Sequence, residues 1–177
     1  MQTLSCPIPD NINPLQSNGF TLDIIKLPEI KYFCQTVRLP SIILRNAVQP
    51  TPFVDIPLPG DKPLFGDLEV SFMIDTQLSN YIALHNWLIG MGFPEDWSQY
   101  TDFINSRTTN FVVSDTSAAT SDAVLTILGP SSTPVKTVHF TNAFPVSLTN
   151  VDFMSTVRDT TYLVASATFK YTNYRFT

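Results

Sequence analysis

The chain has few of the residues that catalytic and metal sites need. Its 177 residues include only two cysteines and two histidines. Cys6 and Cys34 form no CxxC pair, which disfavours a metal site, so we expect Cys34 to be a small core residue and Cys6 a free thiol. His85 and His139 are the only histidine bases, and no G-x-S-x-G motif supplies a nucleophile beside them. Phosphate-loop, dinucleotide and calcium-loop motifs do not occur either. The sequence therefore predicts no enzyme, no cofactor and no metal.

Charge is scarce as well. Charged residues make up 14% of the chain, and the formal net charge is -5. The Lys and Arg residues are scattered singly along the sequence. This disfavours nucleic-acid binding, because binding to backbone phosphates needs clustered cations. No apolar run reaches the length of a membrane span, and the first ten residues do not resemble a signal peptide. We therefore expect a protein made in the cytoplasm, with no membrane partner.

Apolar and aromatic residues are plentiful. Hydrophobic residues account for 44% of the chain, with thirteen Phe, six Tyr and two Trp, which is enough for one core in one domain. This composition favours β-structure, and fourteen Pro punctuate it. A surface with so little charge is also expected to carry apolar area that an oligomer would cover. The predicted class is mainly β (α+β).

The pattern along the chain divides it into an arm and a domain. Residues 1–18 show no period and are predicted to form an extended arm, followed by a single domain over residues 19–177. Alternation predicts strands over 20–24 and 33–39 that could pair as a hairpin, and a strand over 68–75. A second hairpin is predicted from segments 123–127 and 135–141, which flank a Gly-Pro turn. The last strand, over 161–176, is so long that we expect it to bend or to continue into a neighbouring subunit.

Two other segments interrupt the strands. The Pro-rich segment 45–66 is predicted to be an edge strand or a projecting loop, because Pro cannot donate to a central ladder. Residues 77–105 are predicted to be helical, with one helix from Leu78 to Gly90 and a shorter one from Pro94. Glu95 and Asp96 suit the start of that second helix better than they suit a catalytic carboxylate pair.

Two other functional classes remain as alternatives. A β-sandwich that binds carbohydrate would use Trp87 and Trp97 to stack on sugars, although both tryptophans fall on predicted helices. A hydrolase ranks lower still, because the chain offers no nucleophile and base pair.

The order of these features resembles the tail-tube proteins of contractile-tailed phages of the T4-like kind. The resemblance covers FTLDIIKLPEIKYFCQTVRLPSIIL (20–44), the segment from PFVDIPLPGDKPLFG (52–66) to EDWSQY (95–100), AVLTIL (123–128), VHFTNAFPVSLTNVDF (138–153) and TTYLVASATFKYTNYRF (160–176). It implies an antiparallel β-sandwich or barrel with one or two flanking helices, in which sheets extend from subunit to subunit to close a ring.

The same resemblance implies a structural virion protein of the tail. Six copies would form a ring of the tail tube, rings would stack, and double-stranded DNA would pass through the lumen without specific binding during ejection. Other partners would be the sheath, the terminator or the baseplate hub, with assembly in the host cytoplasm. The alternative within the family is a tube-end ring, either a terminator (tail-completion) protein or a baseplate tube initiator.

Three groups of site residues follow from the resemblance. The ring-stacking loop would use Arg45, Gln49, Phe53, Asp55, Asp61 and Lys62. The inter-subunit strand would use Phe169, Tyr171 and Tyr174. Glu69 and Asp122 are the candidate acids of the lumen.

Overall fold

A computed structural model of the chain describes residues 15, 17–92, 96–99, 101, 119–155 and 161–177. Most of the predicted arm, including Cys6, lies outside these residues, as do Pro94 and Glu95 of the second predicted helix. The described elements are β1 (Phe20–Ile24), α1 (Ile30–Phe33), β2 (Cys34–Arg38), β3 (Ile42–Gln49), β4 (Ile56–Phe65), β5 (Leu68–Met73), α2 (Ser79–Gly92), β6 (Ser121–Leu128), β7 (Pro134–Leu148), β8 (Val164–Lys170) and β9 (Asn173–Phe176).

Two antiparallel sheets that share strand β7 form the body of the protein, together with α1 and α2. The first sheet contains β1, β6, the first half of β7 and β9. The second contains the other half of β7, β8, β5 and β2. The predicted mainly β, antiparallel fold is confirmed, and within the described part of one chain the sheets do not close into a barrel.

A sharp corner carries β7 from the first sheet to the second. Asn142 lies between the two pairings and has a φ of 54°, a left-handed conformation that asparagine tolerates better than most residues. The backbone N–H of Asn142 donates to Oδ1 of Asp122 at 3.0 Å. The Asp122 carboxylate therefore holds the corner.

The core lies between the inner faces of the two sheets and is completed by α2. In β5 the side chains of Leu68, Val70 and Phe72 are buried, as the alternation predicts. Trp87 of α2 is also fully buried, and its indole Nε1 donates to the carbonyl oxygen of Ala119 at 2.9 Å. The buried stripe of α2 thus fills the space that the strands leave.

The predicted pairing of the first two strands is wrong. β1 pairs with β6, and β2 pairs with β5 in the other sheet. Leu27 and Ile30, in the segment between them, are buried in the core. Because these side chains anchor the connection, the chain crosses from one sheet to the other instead of turning back on itself.

Three further predicted elements agree with the structure. The β6–β7 hairpin is confirmed, although β7 continues to Leu148. The predicted helix from Leu78 to Gly90 is observed over Ser79–Gly92. The long last strand is bent, since β8 and β9 are separated at residues 171–172 and the N–H of Thr172 donates to the Thr141 carbonyl at 3.0 Å.

The Pro-rich segment forms a two-stranded hairpin that stands apart from both sheets. β3 pairs with β4 alone among the described strands. β4 accommodates Pro57, Pro59 and Pro63 because its outer edge needs no backbone donors. We call β3, β4 and the connecting residues 50–55 the projecting hairpin.

Candidate assembly surfaces

The projecting hairpin exposes an unusual amount of apolar surface. Every residue of β3 is exposed, as are all residues of β4 except two that are partly covered. The large apolar side chains that remain exposed are Ile42, Ile43, Leu44, Val48, Phe53, Val54, Ile56, Leu58 and Leu64. An isolated two-stranded hairpin is marginally stable in water, and a contiguous apolar patch marks an interaction site. This hairpin is therefore suited to being covered by another protein surface.

The predicted ring-stacking residues all lie on this hairpin. Arg45 and Gln49 lie on β3, Asp61 and Lys62 on β4, and Phe53 and Asp55 on the connection between them. Phe53 is 98% exposed.

A bulge divides the hairpin near its middle. The register between β3 and β4 shifts around Arg45, and a Cβ atom added to Gly60 would lie 1.9 Å from the Arg45 carbonyl oxygen. Arg45, Gly60, Asp61, Lys62 and Leu64 line a shallow surface cavity of about 400 Å³ at the bulge. The close approach of the two backbones therefore requires glycine at position 60.

The base of the hairpin is fastened to the body by aromatic side chains. The Tyr171 hydroxyl donates to the Gly66 carbonyl at 2.9 Å, and the Tyr174 hydroxyl donates to the Pro40 carbonyl at 3.4 Å. The ring centroid of Phe65 lies 6.2 Å from that of Tyr171 and 5.5 Å from that of Tyr174. Burial raises the pKa of Tyr171 to about 12.

The three predicted inter-subunit strand residues all contact other residues of their own chain. Phe169 is fully buried and packs on Trp87, with ring centroids 6.3 Å apart. Tyr171 and Tyr174 belong to the hairpin base. The sequence alternation finds these aromatic residues, but it carries no signal for their backbone partners at Gly66 and Pro40.

The outer face of the second sheet is polar and uncovered by the described chain. We call it the bare face. Seven side chains of the bare face line a shallow cavity of about 420 Å³, namely Thr36, Arg38, Glu69, Ser71, Thr149, Ser166 and Thr168. The Ser71 and Ser166 hydroxyl oxygens are 2.7 Å apart. Hydroxyl groups thus dominate this surface.

Charges on and beside the bare face occur as pairs. Glu69 Oε2 is 2.6 Å from Arg38 Nη1, and Lys170 pairs with Asp67. Because the four side chains are all substantially exposed, these pairs contribute little to stability. They do cancel one another's charge locally.

The two predicted lumen acids lie on different sheets. Glu69 is on β5 of the second sheet, on the bare face. Asp122 is on β6 of the first sheet, where it accepts the Asn142 N–H at the corner of β7. The fold does not bring them together, and the alternation pattern offers no sign of the corner.

The second sheet has open edges. β2 pairs only with β5, and the second half of β7 pairs with β8 on one side, within the described residues. Exposed strand edges present unpaired N–H and C=O groups that can join another chain. The sheet can therefore be extended at either end.

Other chemistry finds little support in the described residues. They contain no group of three His, Cys, Asp or Glu side chains that could hold a metal ion. Burial raises the pKa of Cys34 to about 11, which keeps its thiol protonated and unreactive at neutral pH. Among the same residues no helix is long and apolar enough to cross a membrane. Trp87 is inside the core, so it cannot stack on a sugar.

A protein-family model described as phage tail tube protein matches residues 4–177. No curated protein sequence matches the chain significantly.

Solved structures of low sequence identity share the fold. A chain in the PVC sheath-tube complex of an extracellular contractile injection system, in its extended state, has a TM-score of 0.57 at 16% identity, over 93% of this chain and 91% of that one. A chain of the anti-feeding prophage tube-terminating cap has a TM-score of 0.59 at 16% identity, over 100% and 99%. The PVC sheath/tube terminator has a TM-score of 0.56 at 16% identity, over 93% and 97%.

Proposed function

Because the chain belongs to the phage tail tube protein family, we propose that it is a structural virion protein of a contractile tail, six copies of which close each ring of the tail tube. It acts by self-assembly and not by catalysis. It assembles in the host cytoplasm and takes its place in the tail beside the sheath, the terminator or the baseplate hub.

The observation that carries this proposal is the projecting hairpin. Its two strands bury almost nothing in their own chain, although they carry side chains as apolar as Ile43, Phe53 and Leu58. Such an exposed apolar surface marks a site of interaction, and a two-stranded hairpin gains stability when another surface covers it. In a stack of identical rings, the hairpin of one ring lies against the next, and every copy finds the same partner.

Ring closure uses the open edges of the second sheet. Each copy contributes the four strands β2, β5, β8 and the second half of β7. Pairing β2 of one copy with β7 of the next continues the second sheet around the ring and leaves neither of its edges exposed. The closed sheet forms the wall of a channel.

The bare face lines the channel in this arrangement. The opposite face of the second sheet is covered by the core, the first sheet and α2, so the bulk of each subunit lies outside the ring. The wall then presents hydroxyl groups and paired charges such as Arg38 with Glu69. Double-stranded DNA would pass such a wall without specific binding, because the cations described on and beside it, Arg38 and Lys170, are each paired with a carboxylate and a phosphate-binding surface needs free, clustered cations.

A tube-end ring is the second candidate function. Its support is that chains of a tube-terminating cap and of a sheath/tube terminator share this fold over most of their length. An end ring would have one face that meets a different protein, so it would stop after one ring instead of polymerising.

Negative-stain electron microscopy of the purified protein, with its solution mass measured on the same preparation, tests the proposal. Long hollow tubes are expected for a tube subunit, and single rings of six for an end ring. Protein that stays monomeric at every concentration would contradict ring formation.

A matched pair of variants tests the role of the hairpin. The double variant Phe53→Asp and Val54→Asp places charge on the exposed connection of the hairpin, where Phe53 is 98% and Val54 67% exposed, and is expected to abolish stacking. Val135→Asp changes a 54% exposed side chain at the start of β7 and is expected to leave stacking intact. Equal stacking in the two would assign the hairpin a different role.

A further inference from the structure

The projecting hairpin is joined to the body at a narrow base. Only its two ends connect it to the rest of the chain, and the N–H of Gly66 bridges them by donating to the Ser41 carbonyl at 2.8 Å. A two-stranded hairpin attached at one end can change its orientation relative to the body unless contacts at the attached end fix that orientation. The direction of the hairpin must therefore be set at this base.

The C-terminal segment supplies two hydrogen bonds that join the body to the base of the hairpin. Tyr171 donates to the carbonyl of Gly66, where the chain leaves the hairpin, and Tyr174 donates to the carbonyl of Pro40, where the chain enters it. The two hydroxyl groups thus hold both ends of the hairpin. Neither backbone carbonyl lies in a regular sheet ladder.

The rings beneath these hydroxyls are themselves fixed. The Phe140 ring, which is buried in the core, lies 5.1 Å from Tyr171 and 5.6 Å from Tyr174 between centroids. Phe65, the last residue of β4, packs against the same two tyrosines from the hairpin side. We call Phe65, Phe140, Tyr171 and Tyr174 the aromatic anchor. It forms a continuous contact from the core to the hairpin.

We propose that Tyr171 and Tyr174 are positioning residues that aim the projecting hairpin at the neighbouring ring through their bonds to Gly66 and Pro40. This inference rests on the proposed function of the hairpin in stacking. It assigns the C-terminal strand a role in ring-to-ring contact, exerted through the hairpin, in addition to any role in the sheet. An aimed hairpin loses less conformational entropy on docking than a mobile one.

The test removes the two hydroxyl groups and keeps the rings. Tyr171→Phe, Tyr174→Phe and their double variant are compared with the control Tyr81→Phe, whose ring packs against the core from α2. Spin labels at Val54→Cys on the hairpin and Ser131→Cys on the β6–β7 turn report the direction of the hairpin, in a background with Cys6→Ser and Cys34→Ser. Tube or ring-stack formation is measured on the unlabelled variants.

The single narrow distance distribution of the parent is expected to broaden in the double variant and not in Tyr81→Phe. Exchange of the Gly66 amide hydrogen is expected to accelerate roughly fivefold when the 2.9 Å bond of Tyr171 is lost, and less when the longer, 3.4 Å bond of Tyr174 is lost. Stacking is expected to fall while far-ultraviolet circular dichroism stays unchanged. The single variants give the same readouts if the double variant does not fold.

Two results would overturn the inference. One is an unchanged distance distribution in folded Phe variants, which would show that the hydroxyls do not set the direction. The other is a broadened distribution with undiminished stacking, which would show that aiming is unimportant. If the parent protein itself forms no rings or stacks, the proposed function fails, whereas the spin-label distances still decide whether the tyrosines position the hairpin.

Discussion

The body and the projecting hairpin show two ways in which one chain uses apolar residues. In the body, side chains such as Phe72 and Trp87 are fully buried and share one core. In the hairpin, side chains such as Ile43 and Phe53 are just as apolar but remain exposed. Burial on folding stabilises the first region at once. The second region keeps its apolar area for a contact with another molecule.

The largest expected effect is the difference in stability between a variant that loses a buried aromatic side chain and one that loses an exposed aromatic side chain. Trp87→Ala is expected to lower the free energy of unfolding by about 3–5 kcal/mol, because it leaves a cavity in the core. Phe53→Ala is expected to change it by at most about 0.5 kcal/mol, because Phe53 is 98% exposed. Urea denaturation of both variants measures the difference. Similar losses in the two would show that the hairpin connection packs on its own chain.

The next effect concerns the bulge in the hairpin. Gly60→Ala is expected to weaken the β3–β4 pairing by about 1–3 kcal/mol, since the new methyl group would meet the Arg45 carbonyl. Gly92→Ala is the control, because a Cβ there would have no atom of the described residues within 4 Å outside its own helix backbone. Amide hydrogen exchange over β3 and β4 reports the result. Unchanged exchange in Gly60→Ala would contradict the close approach of the two backbones.

A smaller effect is expected at the corner of β7 in the body. Asp122→Ala removes the acceptor of the Asn142 N–H and is expected to cost about 1 kcal/mol, less than is usual for a bond to a charged group because Asp122 is exposed. Asp55→Ala, an exposed carboxylate on the hairpin connection, is the matched control with no expected loss. Thermal unfolding compares the two. A loss of stability in Asp55→Ala as large as that in Asp122→Ala would mean that the Asp55 carboxylate stabilises the hairpin connection.

The smallest effect is expected on the bare face. Glu69→Gln, Arg38→Gln and the double variant form a cycle whose coupling energy is expected to stay below about 0.5 kcal/mol at physiological salt, because both side chains are at least half exposed. Equilibrium unfolding of the four proteins measures it. A coupling above about 1 kcal/mol would mean that this face is more shielded from water than the monomer shows.

Local alternation predicted much of the body correctly. β5, α2 and the β6–β7 hairpin lie where the apolar period and the turn residues indicated, because each signal involves residues close in sequence. The pairing of β1 with β2 was wrong since a choice of partner depends on distant strands. Alternation likewise predicted Tyr171 and Tyr174 to be strand residues. It gave no indication of their bonds to Gly66 and Pro40, because those partners are distant in the sequence.

The sequence by itself determined a mainly β chain with one core, more apolar residues than its surface is expected to hide alone, and a Pro-rich segment unsuited to a central strand. These properties follow from composition and from the two-residue period of a strand. Only the tertiary structure decided that many of the exposed apolar side chains lie on a projecting hairpin and that Asp122 accepts a hydrogen bond at the corner of β7. It also decided that two tyrosines bond to the backbone at the hairpin base. Each of these joins residues far apart in the chain, and such contacts form only when the whole core brings them together.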